Sequence, residues 1–270
     1  MLESGVNADW LAPQGFAAPV GTLMTTRQGG VSGGPWTGMN LGDACGDAAD
    51  AVAKNRDAFA RAIAAQPVFL KQVHGARVVR IGDADARACL RGGGAGIEAD
   101  ASVTTQTGVA CTVLVADCLP LLFAAPEGRA VGAAHAGWRG LAGGVAEATL
   151  HAVCDAAGCE AGDLRCWLGA CIGPRRFEVG ADVLQAFGAD PADADPLRFA
   201  PRAFEGGAGQ GAQRRWLANL PQLARDRLRA GGARHITGAT WCTFEDSARF
   251  YSFRRDGVTG RMAAAIWIAR

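Results

Sequence analysis

Two histidines and a cysteine have the greatest potential for chemistry in this sequence. His74, Cys118 and His135 each stand at the predicted end of an apolar strand, and functional side chains in sheet proteins gather where strands run into loops. Two imidazoles and a thiolate form a three-ligand zinc site with an open fourth position, which is the catalytic rather than the structural arrangement. The spacing alone leaves an alternative open, because nine cysteines give many chance triplets: a buried thiol and two ordinary histidines.

Two arginines stand in glycine-bearing turns that resemble anion sites. Arg139 lies in the segment 136–144, which leads into a predicted helix. Free N–H groups at a helix start, together with a guanidinium group, can hold a phosphate or a carboxylate. Arg27 lies in a similar turn at 25–32. For both turns the alternative is that the glycines only permit unusual backbone angles.

Asp117 and Cys118 allow further interpretations. Asp117 can act as a general acid or base, or it can accept hydrogen bonds from the backbone where the strand ends. A free Cys118 thiol with His135 or His74 as its base would make the protein a cysteine hydrolase. Stoichiometric zinc on Cys118 would argue against a free nucleophile. A metal-dependent protein that binds a partner without catalysis is a further alternative.

The elements that must position these residues mix strand and helix patterns. Apolar runs of strand length suit a sheet that is buried on both faces. Strands are predicted at 68–74, 77–81, 109–116, 130–134, 165–172, 235–241 and 262–269. Helices are predicted at 50–64, 144–157, 180–187 and 216–229. This pattern predicts a mixed α/β or α+β fold in which helices cover the sheets.

Length and composition exclude several classes of protein. The 270 residues include 49% hydrophobic residues, enough for a substantial core. The formal net charge of +1 provides no general attraction to nucleic acid or to acidic membranes. Glycine-rich segments at 91–96 and 205–211 are predicted as loops, and no segment resembles an interdomain linker. We therefore expect one domain over residues 1–270.

Cysteine usage and hydropathy indicate a cytoplasmic protein. The nine cysteines are an odd number without a C-x-x-C motif, which favours reduced thiols over a disulfide framework. The first residues lack the apolar region of a signal peptide. The most apolar stretch, 109–126, is interrupted by Asp117 and is shorter than the roughly 20 apolar residues of a membrane span.

Motifs across nearly the whole chain resemble the YfiH family, whose members are also called laccase-domain or polyphenol-oxidase-like proteins. They occur in the family's order at Thr25–Ser32, Met39–Gly42, Lys71–Gly75, Ala99–Ala101, Ala116–Pro120, Ala133–Gly140, Ile172–Pro174, Phe177–Gly180, Tyr251–Asp256 and Thr259–Met262. Two positions depart from the pattern. Asn219 stands where the family commonly has Asp, and Ala170 where Pro is common, so the resemblance assigns no carboxylate role at position 219.

The resemblance implies a single α/β domain with layered mixed sheets and a catalytic zinc held by His74, Cys118 and His135. It implies phosphorolysis of purine nucleosides, including adenosine, inosine and S-methyl-5′-thioadenosine, and deamination of adenosine. The expected substrates are thus a purine nucleoside and phosphate, with Arg27, Asn40 and Arg139 as the substrate-binding or phosphate-binding residues.

The family also carries an older association with copper-dependent oxidation of polyphenols. Multicopper oxidation requires several copper centres that are rich in histidine. The chain has four histidines, of which His151 is predicted within a helix and His235 at the start of a strand. Both are expected to have structural or surface roles. Copper oxidase therefore remains the alternative to a zinc phosphorylase.

Overall fold

Thirteen strands form three sheets in the computed structural model, which describes residues 7–90, 96–202 and 214–269. The strands are β1 Val20–Met24, β2 Gln66–Phe69, β3 Val78–Arg80, β4 Ala101–Thr104, β5 Val109–Val115, β6 Leu119–Ala124, β7 Val131–Ala136, β8 Arg165–Leu168, β9 Glu178–Val179, β10 Phe199–Pro201, β11 Trp216–Ala218, β12 His235–Gly238 and β13 Met262–Ile268. Of the segments predicted as loops, 91–95 and 205–211 lie outside the described residues.

Seven α-helices accompany the strands in the described ranges. They are α1 Ala49–Ile63, α2 Asp83–Leu90, α3 Trp138–Ala142, α4 Val145–Ala157, α5 Ala181–Ala186, α6 Leu220–Ala230 and α7 Phe253–Asp256. Of these described helices, none is long and apolar enough to cross a bilayer.

The two larger sheets are mixed. One has the order β1-β13-β5-β2, with β2 and β5 parallel and the other pairs antiparallel. The second has the order β12-β8-β6-β7-β4-β3, with parallel pairs only at its two edges. The small third sheet, β10-β11-β9, is antiparallel. These mixed sheets, flanked by helices, confirm the predicted α/β class.

The four-stranded sheet is buried on both faces. Ala264 and Ile266 of β13 lie in the core beside Leu122 of the six-stranded sheet. Ala265, on the opposite face of β13, packs in the same cluster as Phe59 of α1. Because successive side chains of a strand point to opposite faces, both faces require apolar residues, and this explains the uninterrupted apolar sequence of β13.

The outer face of the six-stranded sheet is covered by helices. Leu121 and Phe123 of β6 are buried in one cluster with Leu150 of α4 and Leu223 of α6. The layers therefore run from α1 through the four-stranded and six-stranded sheets to α4 and α6. This arrangement confirms the expectation of layered sheets covered by helices.

The prediction of a helix over 216–229 was wrong for its first residues. Trp216–Ala218 is strand β11, which pairs with β9 and β10. Trp216 and Ala218 are buried while the residue between them is less so, which is the two-residue period of a strand. Helix α6 begins only after Asn219, whose side chain accepts a hydrogen bond from the Gln222 N–H at 3.2 Å. Asn and Asp both serve as N-caps, which accounts for the family's alternative residue here.

The long apolar stretch 109–126 is divided between the two large sheets. Strand β5 belongs to the four-stranded sheet and β6, absent from the predicted strands, belongs to the six-stranded sheet. The chain passes from one to the other at residues 116–118, where Asp117 has a φ of 89°. Cys118 therefore precedes a strand and does not end one. The strand predicted at 68–74 likewise ends early, at Phe69, so His74 lies in a loop.

Candidate metal centre

His74, Cys118 and His135 lie together in the folded chain. One potential ligand atom from each residue lies within 4.8 Å of the other two. The imidazole rings of His74 and His135 are nearly perpendicular, with centroids 4.8 Å apart and an interplanar angle of 72°. The three residues form a group that can hold a metal ion.

Strand pairing brings Cys118 beside His135. Strands β6 and β7 are antiparallel, with Leu119 opposite Ala136 and Pro120 opposite His135. The start of β6 therefore adjoins the end of β7. Cys118, one residue before β6, lies next to the end of the strand that carries His135.

Asp100 shapes the turn that carries His74. Its buried carboxylate accepts hydrogen bonds from the N–H groups of Val73 at 3.2 Å, His74 at 2.9 Å and Gly75 at 2.7 Å. His74 has a φ of 60°, a left-handed conformation that is uncommon for residues other than glycine. Three hydrogen bonds to one carboxylate stabilise this conformation.

The same carboxylate orients His135. Its Oδ1 atom lies 2.8 Å from His135 Nδ1, so a proton on Nδ1 leaves Nε2 free to act as a ligand. Burial opposes ionisation of Asp100, but the hydrogen bonds from His135 and the Gly75 N–H outweigh it and lower its pKa. In the sequence, Asp100 stands only within the family motif Ala99–Ala101, which assigns it no role. An acidic residue directly before a segment of strand-forming residues was the signal available in the sequence.

The half-buried Cys118 differs from the fully buried thiols in its ionisation. Burial opposes the thiolate, but His135 and His74 outweigh this effect and lower the pKa of Cys118 to about 6. The same interaction, together with Asp100, raises the pKa of His135 to about 9 despite its burial. By contrast, burial raises the pKa of Cys111 to about 12. Cys118 is thus the thiol that is prepared to act as a thiolate ligand.

Gly137 permits the close approach of two residues of this cluster. A Cβ atom at this position would lie 2.8 Å from His74 Nδ1 and 3.0 Å from Cys118 Sγ. Gly140 plays a similar part for the backbone, because its Cβ atom would lie 2.7 Å from the Gly75 carbonyl oxygen. A side chain at Gly137 or Gly140 would therefore clash with the cluster or with the turn that carries His74.

Substitution Gly137→Ala should disrupt metal binding while the fold persists. The new methyl group would displace the His74 ring or the Cys118 sulfur, whereas the backbone φ of −65° suits alanine. We expect the content of bound metal, measured by elemental analysis, to fall at least about tenfold, since ligand geometry governs affinity. Gly33→Ala is the matched control, because a Cβ atom there meets no heavy atom within 4 Å. Equal metal content in both variants would contradict the role of Gly137 in the cluster.

A cavity of about 760 Å³ adjoins the ligand cluster. His74, Cys118 and His135 all line it. Its positively charged lining residues are Arg56, Lys71, Arg139, Arg254 and Arg261. Its aromatic lining residues are Phe69, Trp138, Phe177 and Phe253. The volume lies in the range of small-molecule sites, and the lining combines positive charge with flat apolar surfaces.

The three residues predicted to bind substrate occupy different environments. Arg139 lines the cavity, and its guanidinium lies 4.4 Å from the centroid of the Trp138 ring. Arg27 is not among the cavity-lining residues: its guanidinium donates to the Ser247 carbonyl at 3.0 Å and lies over the Tyr251 ring. The sequence could not reveal this difference, because both arginines stand in similar glycine-bearing turns.

Asn40 is fully buried behind the cavity wall. Its Oδ1 atom accepts from the N–H groups of Gly42 at 3.0 Å and Arg261 at 2.8 Å. Its amide nitrogen donates to Asp47 Oδ2 at 2.8 Å and to the Gly42 carbonyl at 3.1 Å. The Asn40 side chain is thus engaged by the protein, and it acts on the cavity by positioning the backbone of Arg261.

Asp117 and the remaining histidines also have defined surroundings. The Asp117 carboxylate accepts from Thr243 Oγ1 and from the Arg254 N–H, each at 2.6 Å. These bonds favour the structural interpretation of Asp117, although the residue lines the cavity. His151 and His235 are exposed, on α4 and β12 respectively, in keeping with the expected surface roles.

The amino-acid sequence is similar to a described protein family and to several bacterial proteins. The model of the family described as multi-copper polyphenol oxidoreductase laccase matches residues 21–269. The chain is 44% identical to a purine nucleoside phosphorylase of Pseudomonas aeruginosa, over 99% of both chains. It is 41% identical to the purine nucleoside phosphorylase YfiH of Escherichia coli, over 96% of both chains.

Two solved structures have the same fold. The Neisseria meningitidis protein NMB0706 superposes with a TM-score of 0.82 at 40% identity, covering 97% of this chain and all of that one. YlmD from Geobacillus stearothermophilus gives a TM-score of 0.83 at 29% identity, covering 100% of this chain and 99% of that one. The resemblance to the YfiH family is confirmed, and the chain belongs to the family described as multi-copper polyphenol oxidoreductase laccase.

Proposed function

We propose that this protein is a zinc-dependent purine nucleoside phosphorylase, built as one domain over residues 1–270. The observation that carries the proposal is one cavity that joins a His–Cys–His cluster to basic groups and aromatic surfaces. Relatives at 41–44% identity bear the name purine nucleoside phosphorylase. The proposed substrates are phosphate with adenosine, inosine or S-methyl-5′-thioadenosine.

The donor set of the cluster fits zinc. His74, Cys118 and His135 offer two imidazole nitrogens and one thiolate, and a fourth position would open into the cavity. Asp100 supplies the outer carboxylate that commonly supports a histidine ligand. Zinc supplies positive charge and Lewis acidity at such a site when it is bound. Copper also accepts thiolate and imidazole ligands, and it is the alternative metal.

Phosphorolysis requires an anion site beside the sugar. A phosphate oxygen forms a bond to C1′ of the ribose while the C1′–N9 bond breaks. The bonding electrons pass to the purine, which takes up a proton and leaves as the free base. Arg139 is suited to hold the phosphate, because it lines the cavity and its guanidinium group makes no hydrogen bond or ion pair with any residue in the described ranges.

The apolar wall of the cavity suits the rest of a nucleoside. Ile172, Phe177 and Leu220 line it and are buried. Such a surface accepts a 5′-methylthio group without leaving a polar group unpaired. This supports the inclusion of S-methyl-5′-thioadenosine among the substrates.

Substitution Arg139→Ala should raise the KM for phosphate more than the KM for the nucleoside. Removing a charged hydrogen-bond donor costs about 1.5–3 kcal/mol, which corresponds to roughly a tenfold to hundredfold increase. Initial rates at varied phosphate with saturating inosine measure the effect. Arg165→Ala is the control, because Arg165 is exposed and does not line the cavity. A selective loss of nucleoside affinity would instead assign Arg139 to the base or the ribose.

Adenosine deamination is proposed as a second activity of the same site. The reaction adds water to the base and releases ammonia, so it has no need of phosphate. Nucleobase deaminases use a comparable three-ligand His/Cys zinc site together with a carboxylate that carries the proton. Among the described lining residues Asp117 is the carboxylate adjacent to a ligand, but its oxygens already accept two hydrogen bonds. We therefore expect deamination to be the slower reaction.

Adenosine with phosphate should yield adenine and ribose 1-phosphate, and adenosine without phosphate should yield inosine more slowly. Both activities should fall together when His74 or His135 is replaced, because the two reactions share the cluster. They should separate in Arg139→Ala, since only phosphorolysis uses the anion site. Chromatography of the reaction products measures all of these outcomes. Oxidation of a phenol after copper addition, without adenine or inosine from the zinc-loaded protein, would favour the oxidase.

The histidine count disfavours multicopper oxidation. The chain has four histidines, and two of them, His151 and His235, are exposed on elements that do not line the cavity. Two histidines and one cysteine provide ligands for one metal ion, whereas multicopper oxidation needs several centres.

A cysteine hydrolase remains the second candidate because of one feature of the geometry. Cys118, His135 and Asp100 are arranged like a nucleophile, its base and an orienting carboxylate. The second imidazole, His74, has no part in such a triad, whereas a metal centre uses it. Alkylation of Cys118 by iodoacetamide distinguishes a metal centre from a cysteine hydrolase. A thiolate that is bound to zinc is protected from alkylation, whereas a free nucleophilic thiolate reacts.

A further inference from the structure

Phe253 is an exposed aromatic residue in the wall of the cavity. It is the first residue of α7 and is 57% exposed. When a ligand covers a large apolar ring that is exposed to water, the free energy of the system falls. Because Phe253 lines the cavity, a ligand bound in the cavity would cover its ring.

The backbone beneath Phe253 is firmly held. Ser252 caps α7, its hydroxyl accepting from the Arg255 N–H at 3.2 Å. The N–H of Arg254 donates to the Asp117 carboxylate at 2.6 Å. Asp117 immediately precedes the ligand Cys118, so this bond ties the start of α7 to the ligand cluster. The ring of Phe253 is therefore presented from a fixed backbone close to that cluster.

The other aromatic residues of the cavity are more completely covered. Phe69 is 5% exposed, and the Arg56 guanidinium carbon lies 4.2 Å from the centroid of its ring. Phe177 is 7% exposed, with the Arg254 guanidinium carbon 5.3 Å from its centroid.

Trp138 and Phe253 complete the comparison. Arg139 covers Trp138, with its guanidinium carbon 4.4 Å from the ring. The Arg261 guanidinium carbon lies 5.8 Å from the centroid of the Phe253 ring, close to the roughly 6 Å limit of a cation–π contact. Phe253 is thus the most exposed of these four aromatic residues.

We propose that Phe253 stacks on the purine ring of the bound nucleoside, an inference that rests on the proposed function. Stacking uses the face of the base and is insensitive to its edge substituents. Adenosine carries an amino group at C6 and inosine a carbonyl group, so a fixed hydrogen-bond donor or a fixed acceptor at C6 cannot serve both. An aromatic face serves both, which fits a phosphorylase that accepts either nucleoside.

Binding of inosine without phosphate tests the role of Phe253, because neither phosphorolysis nor adenosine deamination can then consume the probe. Calorimetric titration of the zinc-loaded protein should give a Kd about tenfold higher for Phe253→Ala than for wild type. Phe253→Trp should bind at least as tightly as wild type, and Phe253→Leu, which keeps apolar volume but loses the ring face, should be intermediate. Val258→Ala is the matched control, since Val258 is 55% exposed in the following segment and does not line the cavity.

The KM for phosphate and the zinc content should be unchanged in Phe253→Ala, which separates loss of stacking from general damage to the site. Equal inosine affinity for wild type and Phe253→Ala or Phe253→Leu would overturn the stacking role, even where phosphorolysis is observed. Absence of inosine binding to wild type would overturn it as well. Inosine binding that depends on Phe253, without formation of ribose 1-phosphate when phosphate is then added, would support stacking while refuting the proposed phosphorylase.

Discussion

Replacing Cys118 by alanine is expected to remove the metal and nearly all phosphorolysis. The substitution deletes the one thiolate of the cluster, whose low pKa arises from His135 and His74. Bound zinc should fall from about one per chain to a small fraction of that value, since two imidazoles are too few ligands for a stable site. A metal at such a site contributes several kcal/mol of charge stabilisation, so the rate should fall about 1000-fold or more.

Cys111→Ala is the matched control for this prediction. Cys111 is fully buried within β5, and its sulfur contacts the Val131 carbonyl oxygen at 3.8 Å. Its truncation should lower the free energy of unfolding by about 1 kcal/mol and leave zinc in place. Full zinc occupancy in the Cys118 variant would refute the proposed ligand set. Zinc loss from both variants would show that general destabilisation, rather than ligation, was being measured.

Replacing Asp100 by asparagine is expected to weaken both metal binding and folding. The carboxylate accepts from three backbone N–H groups of the His74 turn and holds Nδ1 of His135. An asparagine would present its own N–H₂ group to some of these donors and leave at least one buried donor unpaired. That costs about 1–3 kcal/mol of unfolding free energy. Loss of an outer-sphere carboxylate lowers metal affinity by about 10–100-fold.

Two measurements separate these effects. Thermal unfolding of the metal-free protein reports the structural contribution of Asp100, and competition with a zinc chelator reports the contribution to affinity. Asp155→Asn, at an exposed position of α4, should alter neither quantity. Chelator competition identical to wild type in Asp100→Asn would contradict the positioning role, whatever the change in unfolding temperature.

Much of the fold could be predicted from local patterns. The apolar segments at 109–116 and 262–269 correspond to β5 and β13 because strands buried on both faces need apolar residues at every position. The helix predicted at 144–157 corresponds to α4. The predicted start of the helix at 216–229 was wrong because of tertiary contacts. Residues 216–218 form a strand, since β9 and β10 pair with them.

The candidate site shows the same division. The types of His74, Cys118 and His135 restricted the chemistry to a thiolate–imidazole cluster, and the family motifs selected these residues among nine cysteines and four histidines. Their proximity depends on the β6–β7 register and on the change of sheet at Asp117, which are long-range pairings that local patterns do not encode.

The sequence by itself determined which residues can do chemistry, because side-chain type fixes ligand and acid–base properties. Only the tertiary structure decided which of them face the cavity. Arg27 and Arg139 look alike in sequence, yet Arg139 lines the cavity and Arg27 bonds to Ser247. Asp100 acquires its importance solely from the distant backbone and the imidazole that converge on it in the fold. The physical reason is that burial and hydrogen-bond partners depend on contacts between residues far apart in the chain.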